Sequence, residues 1–182
     1  MSQSSRSRRR GRLSRRLTLA ERYYERALHA YGRGRFDAAI ADLDEAIQAE
    51  PKRAELYVAR GMALLADQRP DDAEDDFAYA LTLDPTQWGV HYGRGVRAFD
   101  TGDYRAAVDA FSRAQRLAPD RFEVYVYRAI SLHQLGQTEE ALRDLNFAQT
   151  LVEPSDKRLR QVKRWIEIMQ PAAPPAASQD LS

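Results

Sequence analysis

Three histidines, His29, His91 and His133, are the side chains able to exchange protons near neutral pH, and they lie in separate stretches of the 182-residue chain. A hydrolytic zinc site needs paired histidines, as in HExxH, and a catalytic triad needs a nucleophile and an acid around one histidine. Neither pattern occurs. Cysteine is absent, which removes thiolate nucleophiles, thiolate metal sites and disulfides. His91 to Val96 reads HYGRGV, the nearest approach to a phosphate-cradling loop, but no strand pattern precedes it and no basic residue is placed for phosphates. The acidic runs Asp71-Asp72 and Glu74-Asp75-Asp76 open a predicted helix, where carboxylates favour the helix dipole, so they read as a solvated face. The sequence therefore predicts no catalytic residue, no metal site and no cofactor, and a chain that is not an enzyme.

Arginine carries the one regular charge pattern. Arg26, Arg60, Arg94 and Arg128 recur every thirty-four residues, and Asp42, Asp76 and Asp144 follow three of them by sixteen. In the third case Ala110 takes the equivalent place, with Asp109 beside it. A ladder of arginines could bind phosphates, but the matched aspartates point instead to ion pairs between two helices, since partly buried charges need partners.

The elements that must position these pairs repeat with the same period. Units of 34 residues start at Ala20, Ala54, Trp88 and Phe122, giving repeats over 20–53, 54–87, 88–121 and 122–155. Each first half shows helical spacing, as in Tyr57, Gly61 and Leu64 or Tyr125, Ala129 and Leu132. Gly34, Gly102 and Gly136 mark a turn, replaced in the second unit by Gln68-Arg69-Pro70. The second halves alternate small and large residues: Ala39, Leu43 and Ala46; Ala73, Phe77 and Ala80; Ala107, Phe111 and Ala114; Ala141, Leu145 and Ala148. That alternation lets two antiparallel helices approach closely. Pro51, Pro85, Pro119 and Pro154 end these segments. Thr18 with Glu21 predicts a capping box at the first helix. Residues 156–170 predict a last, unpaired helix that buries Leu159, Val162 and Ile166 and caps the apolar end of the stack.

The period, the paired helices and the glycine, tyrosine, alanine, phenylalanine and proline pattern resemble the tetratricopeptide repeat family over residues 20–155. The resemblance implies an all-α, right-handed superhelical solenoid of four helix-turn-helix repeats plus a C-terminal capping helix. Leucine is usual in the family where the four arginines stand, so Arg60→Leu is expected to be better tolerated than Asp76→Leu. The family's concave face, built from the first helices, binds peptides or helices of other proteins. Its fifth, ninth and twelfth positions correspond here to Tyr24, Leu28 and Tyr31; Val58, Met62 and Leu65; Tyr92, Val96 and Phe99; and Val126, Ile130 and His133. Eleven of these twelve are apolar or aromatic, which marks a protein-binding groove. Glu21, Glu25 and Glu55 are expected to make one end acidic, and Lys157, Arg160 and Arg164 the other end basic. Chaperone-binding members clamp a terminal carboxylate with lysine, asparagine and arginine in the groove, a set this chain lacks. Gly89 and Gly93, beside Tyr92, Val96 and Phe99, are expected to admit a partner's backbone, with an amphipathic helix as ligand.

Charge is unevenly shared. Seven of the 28 basic residues fall in residues 1–18, which hold no acid, so the remaining 21 face all 27 acids and the body carries −6. Residues 1–18 read as an Arg-rich disordered arm and residues 171–182 as a disordered Pro/Ala tail. The basic stretch over residues 6–16 offers an alternative function, attachment to nucleic acid, a ribosome or an anionic surface, although no aromatic is interleaved to stack on bases. No apolar run is long enough to span a membrane, and the N-terminus lacks a secretory apolar segment, so a cytoplasmic location is expected. The sequence points to a scaffold or adaptor whose ligand is a helix or extended segment of another protein.

Overall fold

A computed structural model of the chain describes residues 17–170. The Arg-rich stretch over residues 6–16 and the tail over residues 171–182 lie outside them. Among the described residues the structure consists of nine α-helices: α1 (Leu19–Tyr31), α2 (Phe36–Ala49), α3 (Ala54–Ala66), α4 (Pro70–Leu83), α5 (Trp88–Asp100), α6 (Tyr104–Leu117), α7 (Phe122–Gln134), α8 (Thr138–Thr150) and α9 (Arg158–Met169). Each odd helix packs on the even helix that follows it, each even helix packs on the next odd one, and α3, α5 and α7 touch in series. This is an all-α solenoid, in which neighbours bury each other's faces.

Local chemistry sets the helix ends. Thr18 Oγ1 accepts the Glu21 N–H at 3.1 Å while Glu21 Oε2 accepts the Thr18 N–H at 2.7 Å, closing the capping box. The turn inside each unit needs one residue in the left-handed region, with φ of 71°, 78° and 79° at Gly34, Gly102 and Gly136. Gln68 takes that conformation at 62° in the second unit, a side chain in a place that favours glycine. The last helix begins at Arg158 rather than at Asp156, because the Asp156 carboxylate accepts the Arg158 N–H at 2.8 Å and stands ahead of the helix. Leu159, Val162 and Met169 of α9 are buried, and Ile166 is half-buried against the same cluster.

Packing between the two helices of a unit follows a volume rule. Position pairs sixteen apart are Ala27 with Leu43, Gly61 with Phe77, Gly95 with Phe111, and Ala129 with Leu145, all essentially buried. Where the first helix gives up a methyl group, the second carries a ring. A Cβ on Gly61 would lie 2.5 Å from Phe77 Cε1, and one on Gly95 would lie 2.5 Å from Phe111 Cε1, so each ring occupies its glycine's missing side chain. Phe77 also fills the space over Gly93, where Met62 Sδ lies 3.1 Å from the Cβ position. The expected close approach of a partner at Gly93 is therefore taken by the chain's own side chains. Val58 Cγ1 covers Gly89 in the same way, at 2.7 Å.

Two arginines of the ladder, Arg60 and Arg128, join three helices rather than two. Arg60 makes a bidentate pair with Asp76 at 2.8 and 2.7 Å and also reaches Asp44 of the preceding unit at 2.6 Å. Arg128 repeats this, bidentate to Asp144 at 2.7 Å, with its remaining amino group donating to Ser112 and Gln115 at 3.2 Å. Arg26 pairs with Asp42 at 3.0 Å. Arg94, which has Ala110 where the others have aspartate, turns to Glu74 of the preceding unit and not to Asp109. The second partner of Arg60 lies sixteen residues before it and the first sixteen after, so the same spacing works in both directions. These contacts argue against the expected tolerance order: Asp76 is buried and would lose its whole pairing without Arg60, whereas Arg60 without Asp76 keeps Asp44.

Candidate protein-binding groove

The inner sides of α1, α3 and α5 line an open cavity of about 710 Å³. Tyr24, Leu28 and Tyr31 come from α1, Val58 and Met62 from α3, and Tyr92 from α5, so six of the twelve groove positions read from the sequence meet around one space. Leu28 is 50% exposed and Tyr31 is 36% exposed, unusual values for large apolar side chains on an inner helix face.

The other six lie outside it. Leu65 is half-buried against the core of the second unit, and Val96 and Phe99 against the core of the third. Val126 and Ile130 are buried in the cluster between α7, α8 and α9. His133 is half-buried, its Nδ1 3.3 Å from Thr138 Oγ1. Tyr127 explains where the cavity stops. Its ring meets Tyr92 edge-on at 5.8 Å, Phe99 edge-on at 5.6 Å and Phe111 at 5.7 Å, which fills the inner side between α5 and α7.

Of the charges expected at the groove ends, Glu55 lines the cavity and the other five are placed elsewhere. Glu21 serves the helix cap. Glu25 lies beside Arg22, Arg26, His29 and Asp42 in a separate shallow depression. Lys157, Arg160 and Arg164 are exposed on or next to α9, and none of the five lines the cavity. On the cavity rim Glu55 is joined by Asp84 and Arg121. The Arg121 guanidinium sits over the Trp88 ring at 4.7 Å, and that of Arg53 over Tyr24 at 5.6 Å.

Gln87 and Trp88 also line the space, and sequence reasoning missed both. Groove positions were counted within each first helix, whereas Gln87 is the junction residue just before α5. Its equivalents in the units on either side are Arg53 and Arg121, so the signal was an uncharged residue between two arginines of that register.

Burial raises the pKa of Tyr92, Tyr24 and Tyr31 above the ordinary tyrosine value, with Tyr127 adding to the shift at Tyr92 and at Tyr31. These phenols stay protonated across the physiological range and can donate hydrogen bonds. Among the described residues no group of three or more histidines, aspartates or glutamates could hold a metal ion, and no helix is long and apolar enough to cross a membrane.

Several solved structures share this architecture. The chain is 20% identical to MamA from Desulfovibrio magneticus, with 84% of each chain covered and a TM-score of 0.59. It is 18% identical to PilF of Pseudomonas aeruginosa, covering 85% of this chain and 78% of that one at a TM-score of 0.63. The first repeat domain of RPAP3, solved bound to the HSP90 peptide SRMEEVD, is 22% identical over 65% of this chain and 96% of its own, with a TM-score of 0.55. No curated protein matches the chain in sequence. The tetratricopeptide repeat model matches residues 24–87 and 92–148, most of the described chain. With the helix pairs, the thirty-four-residue register and the interlocked small and large residues all in place, the chain belongs to the tetratricopeptide repeat family.

Proposed function

We propose that this protein is a non-enzymatic interaction scaffold that holds a segment of a partner protein in the cavity between α1, α3 and α5. The observation that carries the reading is the cavity itself: about 710 Å³, walled by Tyr24, Leu28, Tyr31, Val58, Met62 and Tyr92, with two of those side chains left substantially exposed. Concave, mostly apolar sites with a few polar groups are how proteins take up ligand segments. A related fold holding a peptide in the RPAP3 complex supports the same use of the architecture. The acidic-tailed peptide of that complex is not the expected ligand here, because the lining contains no lysine or asparagine.

A photo-crosslinking amino acid in place of Glu55, on the rim, and one in place of the exposed Leu117 of α6 test the reading in living cells. The Glu55 position should capture a discrete polypeptide that the Leu117 position does not, and Leu28→Ala with Tyr31→Ala should reduce that capture several-fold. Both residues are exposed enough for the fold to survive their loss. Equal capture from both positions, or capture indifferent to the double substitution, would refute it.

A further inference from the structure

The helix pairs carry a second repeating pattern, and the third unit breaks it. In the second unit Tyr57 of α3 meets Tyr79 of α4 with ring centroids 4.7 Å apart, and in the fourth Tyr125 of α7 meets Phe147 of α8 at 4.7 Å. Tyr57 donates its hydroxyl to the Pro51 carbonyl at 3.0 Å, and Tyr125 donates to that of Pro119 at 2.9 Å. One turn beyond the second ring stands a threonine, Thr82 or Thr150, bonded to its own helix. At the same register the third unit replaces all three at once, with His91 for the tyrosine, Arg113 for the second ring and Arg116 for the threonine. An aromatic pair has given way to three groups able to carry positive charge.

Arg113 and Arg116 are exposed on α6, and neither makes a hydrogen bond or ion pair among the described residues. Asp109 before them and Asp120 after them pair with neither. His91 of α5 is half-buried, and its pKa is lowered by burial first and then by Arg94, Arg113 and Arg116, so both guanidinium groups of α6 act on the imidazole. Arg94, on the same helix as His91, is bound to Glu74 of α4, and Asp84, in the junction ahead of α5, is bound to Thr86.

We propose that this face of the third unit binds a phosphorylated serine or threonine of a partner protein, with Arg113 and Arg116 donating to the phosphate oxygens and His91 completing the cluster. None of the three lines the groove cavity, so the site is independent of the groove reading. A phosphate ester carries about two negative charges and a set of strong acceptor oxygens, which suits two guanidinium forks better than a singly charged carboxylate does. The imidazole supplies a donor when neutral, and a second donor with its charge when it takes up a proton. The surroundings choose the carrier. Residues 17–155 hold 16 basic against 24 acidic side chains, and α4, the even helix of the preceding unit, carries Asp71, Asp72, Glu74, Asp75 and Asp76. A nucleic-acid strand or an anionic bilayer would spread its charge over those carboxylates, whereas a protein segment brings one phosphate to one cluster. Tyr79 and Phe147, 47% and 45% exposed in the register of Arg113, offer rings to apolar residues on either side of the phosphate.

The test follows the histidine ring signals of the intact protein by NMR, with His91→Gln identifying the His91 signal. N-acetyl-phosphoserine amide should shift that signal and raise the His91 pKa while His29 and His133 stay unmoved, because a dianion offsets the field of the arginines. In parallel, a random heptapeptide library with phosphoserine at its centre is screened for binding. Its best sequences should bind about tenfold or more tightly than their serine and aspartate counterparts. Arg113→Gln with Arg116→Gln should remove that difference at unchanged helical signal, and Arg33→Gln with Arg105→Gln, equally exposed, should leave it intact. The inference is overturned if phosphoserine and aspartate peptides bind alike, if both arginine pairs matter equally, or if the His91 signal does not respond. A mixed-sequence RNA decamer or phosphatidylserine vesicles moving that signal at lower phosphate concentration than the best peptide would overturn it in favour of nucleic acid or a membrane. Loss of peptide binding in the Leu28→Ala, Tyr31→Ala protein would place the peptide in the groove and overturn it as well.

Discussion

Replacing Gly61 by alanine tests the volume rule that holds each helix pair together. The added Cβ would meet Phe77 Cε1 at 2.5 Å, Cδ1 at 2.8 Å and Cζ at 3.1 Å, all well inside ordinary contact. The ring cannot swing away, because its other edge already fills the space over Gly93, with Cε2 2.9 Å from that Cβ position. Alanine in a helix interior is intrinsically worth about 1 kcal/mol over glycine, and forced overpacking costs about 1–3 kcal/mol, toward the upper end for a pinned ring. The net expectation is a loss of about 2 kcal/mol, read as a melting temperature lower by roughly 4–8 °C. Phe77→Leu alone should cost about 1–2 kcal/mol through lost burial. Combined, the two changes recreate the Ala-Leu pairing seen at Ala27 with Leu43 and at Ala129 with Leu145, so the double variant should be no less stable than Phe77→Leu alone. Urea denaturation of the four proteins gives the coupling, expected at about 2 kcal/mol. Strictly additive effects would refute the claim that glycine and ring are one packing unit.

Two further outcomes follow from polar groups. Arg60→Leu should cost about 3 kcal/mol because it strands the buried Asp76 carboxylate, and Asp76→Asn about half as much because Arg60 keeps Asp44; urea midpoints in the reverse order would count against the three-helix pairing. Tyr92 has its pKa raised from an ordinary value of 10.0 chiefly by burial, so the unfolded chain loses this proton first as pH rises, and the stability its neutral form contributes is full below pH 10 and lost above it. Thermal melts from about pH 8 to about pH 11 should therefore fall at the alkaline end, and less steeply for Tyr92→Phe; an unchanged slope would mean that the phenol is not the group being sensed.

Much of this protein is determined locally and could be read along the chain. The thirty-four-residue period fixes which residues share a helix face, and an offset of sixteen fixes which residues of two antiparallel helices meet. Arg60 with Asp76, Arg128 with Asp144 and the capping box at Thr18 depend on nothing beyond that register. The tertiary structure decided what the curl of the stack brings together. Asp44 reaches Arg60 from the preceding unit, and Glu74 takes Arg94 where Asp109 had been the nearest candidate in sequence. Tyr127 closes the inner side between α5 and α7, so the cavity draws on the first three units, and Val126 and Ile130 are spent on the core beside α9. Gln87 shows the limit most clearly. Its carboxamide, which makes no hydrogen bond among the described residues, opens on a space set by the packing of three helices and two junctions at once, and no spacing along the chain encodes an empty volume.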